Sequence, residues 1–350
     1  MAAEKKLFIN QVSAGQQVEG LFLVKEVGLA ETRNGKPYLF MTLMDRSGEL
    51  PGRVWENAEK LMPECESGQL VFVAGQAQAY KGVLQLKIDN LHKADKERLD
   101  YALFLPSANQ DIEEMAAQLS ALVMNVQDPF CRKLLLKFFS NNDFFNEFKI
   151  APAAKIMHHA YIGGLLEHTL SVSRLAETVA GLYPGLDRDL LLAGALLHDI
   201  GKVKEFSFNS YPFDYTDKGR LVGHLVLGAE MVQEAVNSIT DFPGDLSSRI
   251  QHLVLSHHGR YEFGSPTLPM MSEAFVLNFL DDLDAKLNYL GRLEERASEE
   301  GYQWTDFQRP LDRFLFIKGR PHQENIEPGL EDEQNSPENE SDNGRQQNLF

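Results

Sequence analysis

The hydrophobic period of this chain changes once, near Asn109, and that change limits the folds open to it. Before it, short apolar or alternating runs recur: Leu21 to Val24, Tyr38 to Met44, Leu50 to Trp55, Leu70 to Ala74 and Val83 to Ile88. Turn residues separate them at Asn34-Gly35-Lys36-Pro37, Asp45 to Gly48, Glu66 to Gly68 and Lys81-Gly82. About five strands at this spacing predict a small barrel, because alternating strands must close or be sandwiched to bury one face. After the change, Ile112, Met115, Ala116, Leu119, Leu122 and Val123 follow three- and four-residue steps, and Pro129 to Phe139 does the same. Helices are expected near 164–183, 187–198, 221–239, 245–257 and 271–295, and no strand run of comparable length returns. The expected class is therefore β plus all-α. A barrel fills 1–95, a helical linker or subdomain 96–150 and a helical domain 151–320. Residues 321–350, with 8 Asp/Glu against Arg345, are expected to form a disordered acidic tail.

Composition removes several classes. With 350 residues, 43% hydrophobic and 24% charged, the chain has the balance of a globular protein of about two domains. No apolar run approaches the ~20 residues of a membrane span, so no membrane role is expected. The start lacks a long apolar stretch, so no secretory signal is expected either. Cys65 and Cys131 form neither a CxxC nor a disulfide framework, which fits a reducing, cytoplasmic setting. The net charge of −17 disfavours tight non-specific duplex binding. It is unevenly spread, since residues 1–95 carry 11 Lys/Arg against 12 Asp/Glu.

Eight of the ten histidines lie between His158 and His258. In order come His168, the pair His198-Asp199, His224, the pair His257-His258, and Asp281 with Asp282 and Asp284 following. Each sits in or at the end of an expected helix, with gaps of roughly 24 to 33 residues, about one helical hairpin. Successive helices can therefore aim one ligand each at a common interior point. Imidazole and carboxylate without thiolate suit Mn, Fe, Co, Ni or Zn. Asp199 can reach across two ions as a bridging carboxylate, and two such ions suit in-line phosphoryl displacement. A lone histidine on an apolar helix is more often a satisfied core residue. The run Leu196-Leu-His198-Asp199-Ile-Gly201 instead buries two costly side chains that demand a partner.

The order His, His-Asp, His, His-His, Asp resembles that of the HD-domain metal-dependent phosphohydrolases. Together with a preceding OB-type barrel, His158-His159-Ala-Tyr-Ile-Gly-Gly-Leu-Leu-Glu-His168 and Ser256-His-His-Gly-Arg-Tyr-Glu-Phe-Gly-Ser-Pro266, it resembles the YhaM family of 3′→5′ exoribonucleases over roughly residues 8–315. The resemblance implies a hydrolase that takes nucleoside 5′-monophosphates from the 3′ ends of single-stranded RNA, with DNA a second substrate. A hydroxide activated by two metal ions would attack the phosphodiester, with Mn²⁺ favoured and Fe, Co, Ni, Zn or Mg as alternatives. It assigns His168, His198, Asp199 and Asp281 as core ligands and His224 and His257 to a second ion. His258 is a ligand or a phosphate contact, and Asp284 could share the face of Asp281. Asp199 and Lys202 are the catalytic assignments, with Lys202 stabilising transition-state charge or, alternatively, capping a helix. His158 and His159 are weaker candidates for substrate contact, His159 being carried as a nucleic-acid contact, and Glu167 is expected on ordinary helix surface. A Gly-Tyr-Pro element does not follow the paired histidines, which disfavours the signalling phosphodiesterases that carry one.

For the barrel, aromatics beside cations are the expected single-strand contacts. Phe22, Tyr38, Phe40, Trp55 and Tyr80, with Lys36, Arg46, Arg53 and Lys81, are the candidates. Tyr38, Lys36, Tyr80 and Lys81 are preferred because they flank turns. Two other functions stay open: hydrolysis of a small cyclic or pyrophosphorylated nucleotide, and a non-catalytic single-strand-binding adaptor. Homo-oligomerisation stays open as well.

Overall fold

The computed structural model describes residues 5–32, 34–80, 83–94, 103–108, 110–155, 158–207, 213–295, 297 and 301–319. The expected tail at 321–350, Lys81 and part of the 96–150 linker lie outside these described residues. Two compact units divide the chain, Met1–Arg292 and Leu293–Phe350.

In the first unit β1 (Gln17–Glu31), β2 (Pro37–Asp45), β3 (Gly48–Val54), β4 (Leu70–Tyr80) and β5 (Val83–Lys93) close into a barrel of order β1-β2-β3-β5-β4. A short helix, α1 (Ala58–Leu61), lies between β3 and β4. β1 is long enough to serve two neighbours: Gln17 to Leu23 pair with β4, and Leu23 to Glu31 pair with β2. The register shift between Val24 and Glu26 is the bulge that bends it from one to the other. The parallel pairing of Gly52 with Leu86 and Arg53 with Lys87 shuts the barrel, and closure removes the exposed sheet edges. Phe22, Val24, Leu39, Met41, Leu43, Val73, Leu86 and Ile88 fill the interior. Leu21, Leu23, Met44 and Leu70, on the other face of those strands, are buried too. They meet Phe104, Leu105, Ile162 and Phe213 in a second core that joins the barrel to the helical part.

The helical part runs α2 (Ile112–Asn125), α3 (Pro129–Phe139), α4 (Asn142–Ile150), α5 (Gly164–Leu182), α6 (Arg188–Leu197), α7 (Lys202–Glu205), α8 (Asp217–Val222), α9 (His224–Asn237), α10 (Gly244–Ser256) and α11 (Ser272–Glu295). Asp111, Asp128, Asn141, Asp187 and Thr216 cap their helices through side-chain oxygens that accept backbone N–H groups. Every residue from Leu190 to Leu197 is buried, so α6 is apolar all round and runs through the middle of the helical core. The helical domain is not purely α: β6 (Phe206–Ser207) pairs with β7 (Asp214–Tyr215), and in the second unit β8 (Gly301–Trp304) pairs with β9 (Phe316–Gly319). Strands of two and four residues are too short to print a period-two pattern on the sequence.

Phe104 is fully buried in the joint between barrel and helices. Truncating it (Phe104→Ala) is expected to cost about 3–5 kcal/mol, read as a lower denaturant midpoint. A midpoint equal to that of the wild type would mean the joint carries no stability.

Candidate metal centre

The site forms where the most apolar helix stops. α6 ends at Leu197, and His198 caps it while His198 to Gly201 turn into α7. Gly201 is needed there because a Cβ would stand 2.1 Å from the carbonyl oxygen of His224. That close approach brings the first turn of α9, and with it His224, beside Asp199. His168 comes from α5, His257 and His258 from the end of α10, and Asp281 from the middle of α11.

The two carboxylate oxygens of Asp199 face different groups. Oδ2 lies 3.5 Å from His168 Nε2 and 3.4 Å from His198 Nε2. Asp281 Oδ1 completes this side, 3.1 Å from His168 Nε2 and 3.9 Å from His198 Nε2. Oδ1 lies 3.6 Å from His224 Nε2 and 3.5 Å from His257 Nε2. His258 Nε2 is 3.3 Å from His224 Nε2, closing the second side. All seven residues expected as ligands are thus in one place, and Lys202 joins them with its Nζ 2.6 Å from Asp199 Oδ2. The side chain of Lys202 thus pairs with this buried carboxylate.

Each imidazole is held from behind through Nδ1. The carbonyls of Ala195, Val254 and Phe263 accept from His198, His257 and His258, each at 2.8 Å. Asp284 Oδ2 accepts from His168 at 2.7 Å, and Glu205 Oε1 accepts from His224 at 2.9 Å. A carbonyl can only accept, so the Nδ1 of these three rings carries the proton and Nε2 presents a lone pair. Lone pairs therefore converge on Asp199 from both sides. His257 Nε2 and Asp199 Oδ1 are buried with no hydrogen-bond partner. Such a set of acceptors is stable together only around positive charge, and the donor set of imidazole nitrogens and carboxylates fits divalent metal.

Protonation follows the same logic. Burial, reinforced by neighbouring His258, pulls the His257 ring down to about 3, leaving it neutral. His258 is lowered by burial and by His224. Burial would raise Asp199, but Lys202 and His198 outweigh it and hold the carboxyl well below its usual range. Burial also works against charge on His168, yet its hydrogen bonds to Asp281 and Asp284 push it up to about 9. His168 is thus the imidazole of the site whose charged form its surroundings favour.

Several positions differ from expectation. His159 is only 3% exposed. Its Nε2 donates to Asp284 Oδ2 at 2.9 Å, so it supports the carboxylate behind His168 and does not face an open strand path. The close contact of Gly164 with the His159 carbonyl, where a Cβ would stand 2.0 Å away, pins that segment against α5. Both rings of the pair lie near that of His168, His159 at 5.4 Å and His158 at 5.8 Å, and the Nδ1 of His158 is buried without a hydrogen-bond partner. Glu167 is not ordinary surface: it accepts from the Tyr161 hydroxyl at 2.6 Å, and that hydroxyl lies 2.9 Å from His159 Nδ1. Asp284 and Glu205 were missed as supports. Only the spacing of Asp284 from Asp281, one turn on, hinted at a shared face.

On the barrel, Phe22 is fully buried in the core, under the ammonium of Lys5 at 4.1 Å, and is no stacking residue. Tyr38 stacks on Trp55 with centroids 4.8 Å apart. Phe40 lies half-buried across Gly28, opposite Arg53, and Lys87 pairs with Arg53 from β5. Tyr38, Phe40, Arg53, Trp55 and Lys87 thus share neighbouring outward positions on β2, β3 and β5. Lys36 is exposed in the turn before β2, and Tyr80 is exposed at the end of β4. Arg46 is elsewhere, stacked on Phe8 at 4.7 Å.

Fold and site define the class: an OB-type barrel followed by a helical domain whose histidines and aspartates converge. Residues 17–94 match the OB-fold nucleic acid binding domain, and residues 165–286 match the HD domain, a metal-dependent phosphohydrolase family. Among solved structures, the chain is similar to the second OB-fold domain of replication protein A from Methanococcus maripaludis. Identity there is 17% over 27% of this chain and 98% of that chain, with a TM-score of 0.22. It is also similar to the mitochondrial single-stranded DNA binding protein Rim1 from S. cerevisiae, with 17% identity over 24% of this chain and 98% of that one, TM-score 0.20. Among the described residues no helix is long and apolar enough to cross a membrane.

Removing the carboxylate behind His168 tests the support. Asp284→Asn is expected to weaken Mn²⁺ binding about 10–100-fold while leaving the fold intact, measured by calorimetric titration of metal-stripped protein. Unchanged affinity would show that the contact is incidental.

Proposed function

We propose that this protein is a metal-dependent 3′→5′ exoribonuclease that releases nucleoside 5′-monophosphates from single-stranded RNA, with single-stranded DNA as a second substrate. The observation that carries the reading is the division of Asp199: one buried carboxylate offers an oxygen to each of two histidine groups, in a chain that also holds an OB-fold domain. His168, His198 and Asp281 are assigned to one ion, and His224, His257 and His258 to the other, with Asp199 common to both. Mn²⁺ suits both donor sets. The ions, when bound, lower the pKa of a shared water and neutralise phosphoryl oxygens.

The chain's own residues do the rest. Backbone carbonyls, Asp284 and Glu205 fix the imidazoles so that only Nε2 points inward, which removes reorganisation from the reaction. Lys202 compensates the buried carboxylate and adds a positive group beside the reacting phosphate. His158, held neutral at about 3 by burial and by Lys202, keeps an unpartnered buried ring nitrogen beside the site. The strand is assigned to Tyr38, Trp55, Lys36 and Tyr80 on the barrel, and to Lys81, the residue after Tyr80 in the sequence. Stacking is tolerant of sequence because every base has a π face. Cys65 and Cys131 are both buried thiols, which fits a reducing, cytoplasmic setting.

RNA labelled at its 5′ end and incubated with Mn²⁺ should shorten stepwise from the other end and release mononucleotides. Asp199→Ala should lower the rate by on the order of 10³-fold, and Lys202→Met by about 10²-fold. Tyr38→Ala should weaken strand binding by about 1–3 kcal/mol without changing hydrolysis of a small phosphodiester. RNA left intact by the wild type across Mn²⁺, Mg²⁺, Co²⁺ and Zn²⁺ would sink the nuclease reading. Turnover of cyclic or pyrophosphorylated nucleotides alone would replace it with the small-substrate one.

A further inference from the structure

The hairpin of the second unit turns its aromatic face to water. Pairing of Tyr302 with Lys318 and of Trp304 with Phe316 puts these four side chains on one face. On the opposite face Ile317 is buried. Tyr302 is 67% exposed, Trp304 69% and Phe316 56%. The rings are already arranged: Tyr302 stacks on Phe316 with centroids 5.3 Å apart and planes at 22°, and Trp304 lies 5.1 Å from the same ring. Phe307 and Phe314, also exposed, pack edge to face in the connecting loop. Lys318, Arg309 and Arg313 supply positive charge on this short segment, partly offset by Asp306 and Asp312.

We infer that the Tyr302–Trp304–Phe316–Lys318 face is a second stacking platform for bases of single-stranded nucleic acid, separate from the barrel. It rests on the reading that the chain acts on nucleic acid. The face carries Lys318 and no carboxylate, which suits a polyanionic strand. Its three flat rings match the flat faces of bases, and a lysine in register with Tyr302 stands where a phosphate follows a stacked base. The ordered stack also lowers the entropy lost on binding.

Trp304 is its own reporter, because the only other tryptophan is Trp55. The full chain carrying Trp55→Phe, and Asp199→Ala to prevent cleavage, is titrated with a 12-residue oligouridylate. Trp304 emission should be quenched saturably, and Tyr302→Ala or Phe316→Ala should weaken binding about tenfold. Trp304→Ala in the otherwise wild-type chain should leave hydrolysis of bis-p-nitrophenyl phosphate unchanged. Unquenched emission while anisotropy shows the oligonucleotide bound would overturn the proposal and leave the nuclease reading standing. Quenching in a chain whose wild type cleaves no RNA would do the reverse. If sedimentation shows Trp304→Ala splitting a larger assembly into single chains, a second copy covers the face and the platform is wrong.

Discussion

A carboxylate buried to 2% exposure is expensive, and the helical domain is organised around keeping one. Asp199 is compensated by Lys202 on Oδ2 and by imidazoles on both oxygens, which come from α5, α6, α9 and the end of α10. No single helix could supply that environment. The apolar α6 fixes where the carboxylate must sit, and Gly201 lets α9 approach to atomic contact. The fold and the candidate chemistry are therefore one problem: the helices pack as they do around a charge that would otherwise unfold them.

The barrel is tied to this arrangement by a less obvious device. Leu21, Phe22, Leu23 and Val24 are all buried, although a strand with one wet face would bury alternate residues. Phe22 and Val24 point into the barrel, while Leu21 and Leu23 point at Phe104, Leu105, Ile162 and Phe213. One continuous apolar run thus serves two cores. Barrel and helices share buried surface in the same compact unit, so they are not beads on a flexible linker.

Much of this was legible because the relevant signals are local. The change of period gave the barrel and the helices; the ends of the longer expected helices fall within a few residues, as with Arg188–Leu197 against 187–198, whereas β1 runs well beyond the expected Leu21 to Val24. The convergence of the candidate ligands was legible because His198 and Asp199 are costly side chains at an apolar helix end. What was not legible depends on contacts across the chain. Asp284 sits 116 residues from His168, and Glu205 holds a histidine 19 residues away. Neither spacing leaves a periodic trace. The place of His159 was not legible because only packing decides that a loop residue with a φ of +46° has its ring held against Asp284. Phe22 was ambiguous for the same reason, since alternation does not say which face is inside.

The two sides of Asp199 are not equivalent. One joins Oδ2 to Asp281, so two carboxylates and two imidazoles converge there. The other joins Oδ1 to three imidazoles, with no carboxylate of its own. The second carboxylate adds Coulomb attraction for a divalent ion on the first side, where Lys202 on Oδ2 offsets part of it, while the nitrogen-rich second side gains more from late first-row metals. Backing does not divide the same way. His168 leans on Asp284 on the first side and His224 on Glu205 on the second, while His198, His257 and His258 lean on single backbone carbonyls. A carboxylate raises the basicity of the ring it supports more than a carbonyl does. The two sides therefore differ in donor set, carboxylate-rich beside Asp281 and nitrogen-rich beside His257 and His258, more than in how firmly their rings are held.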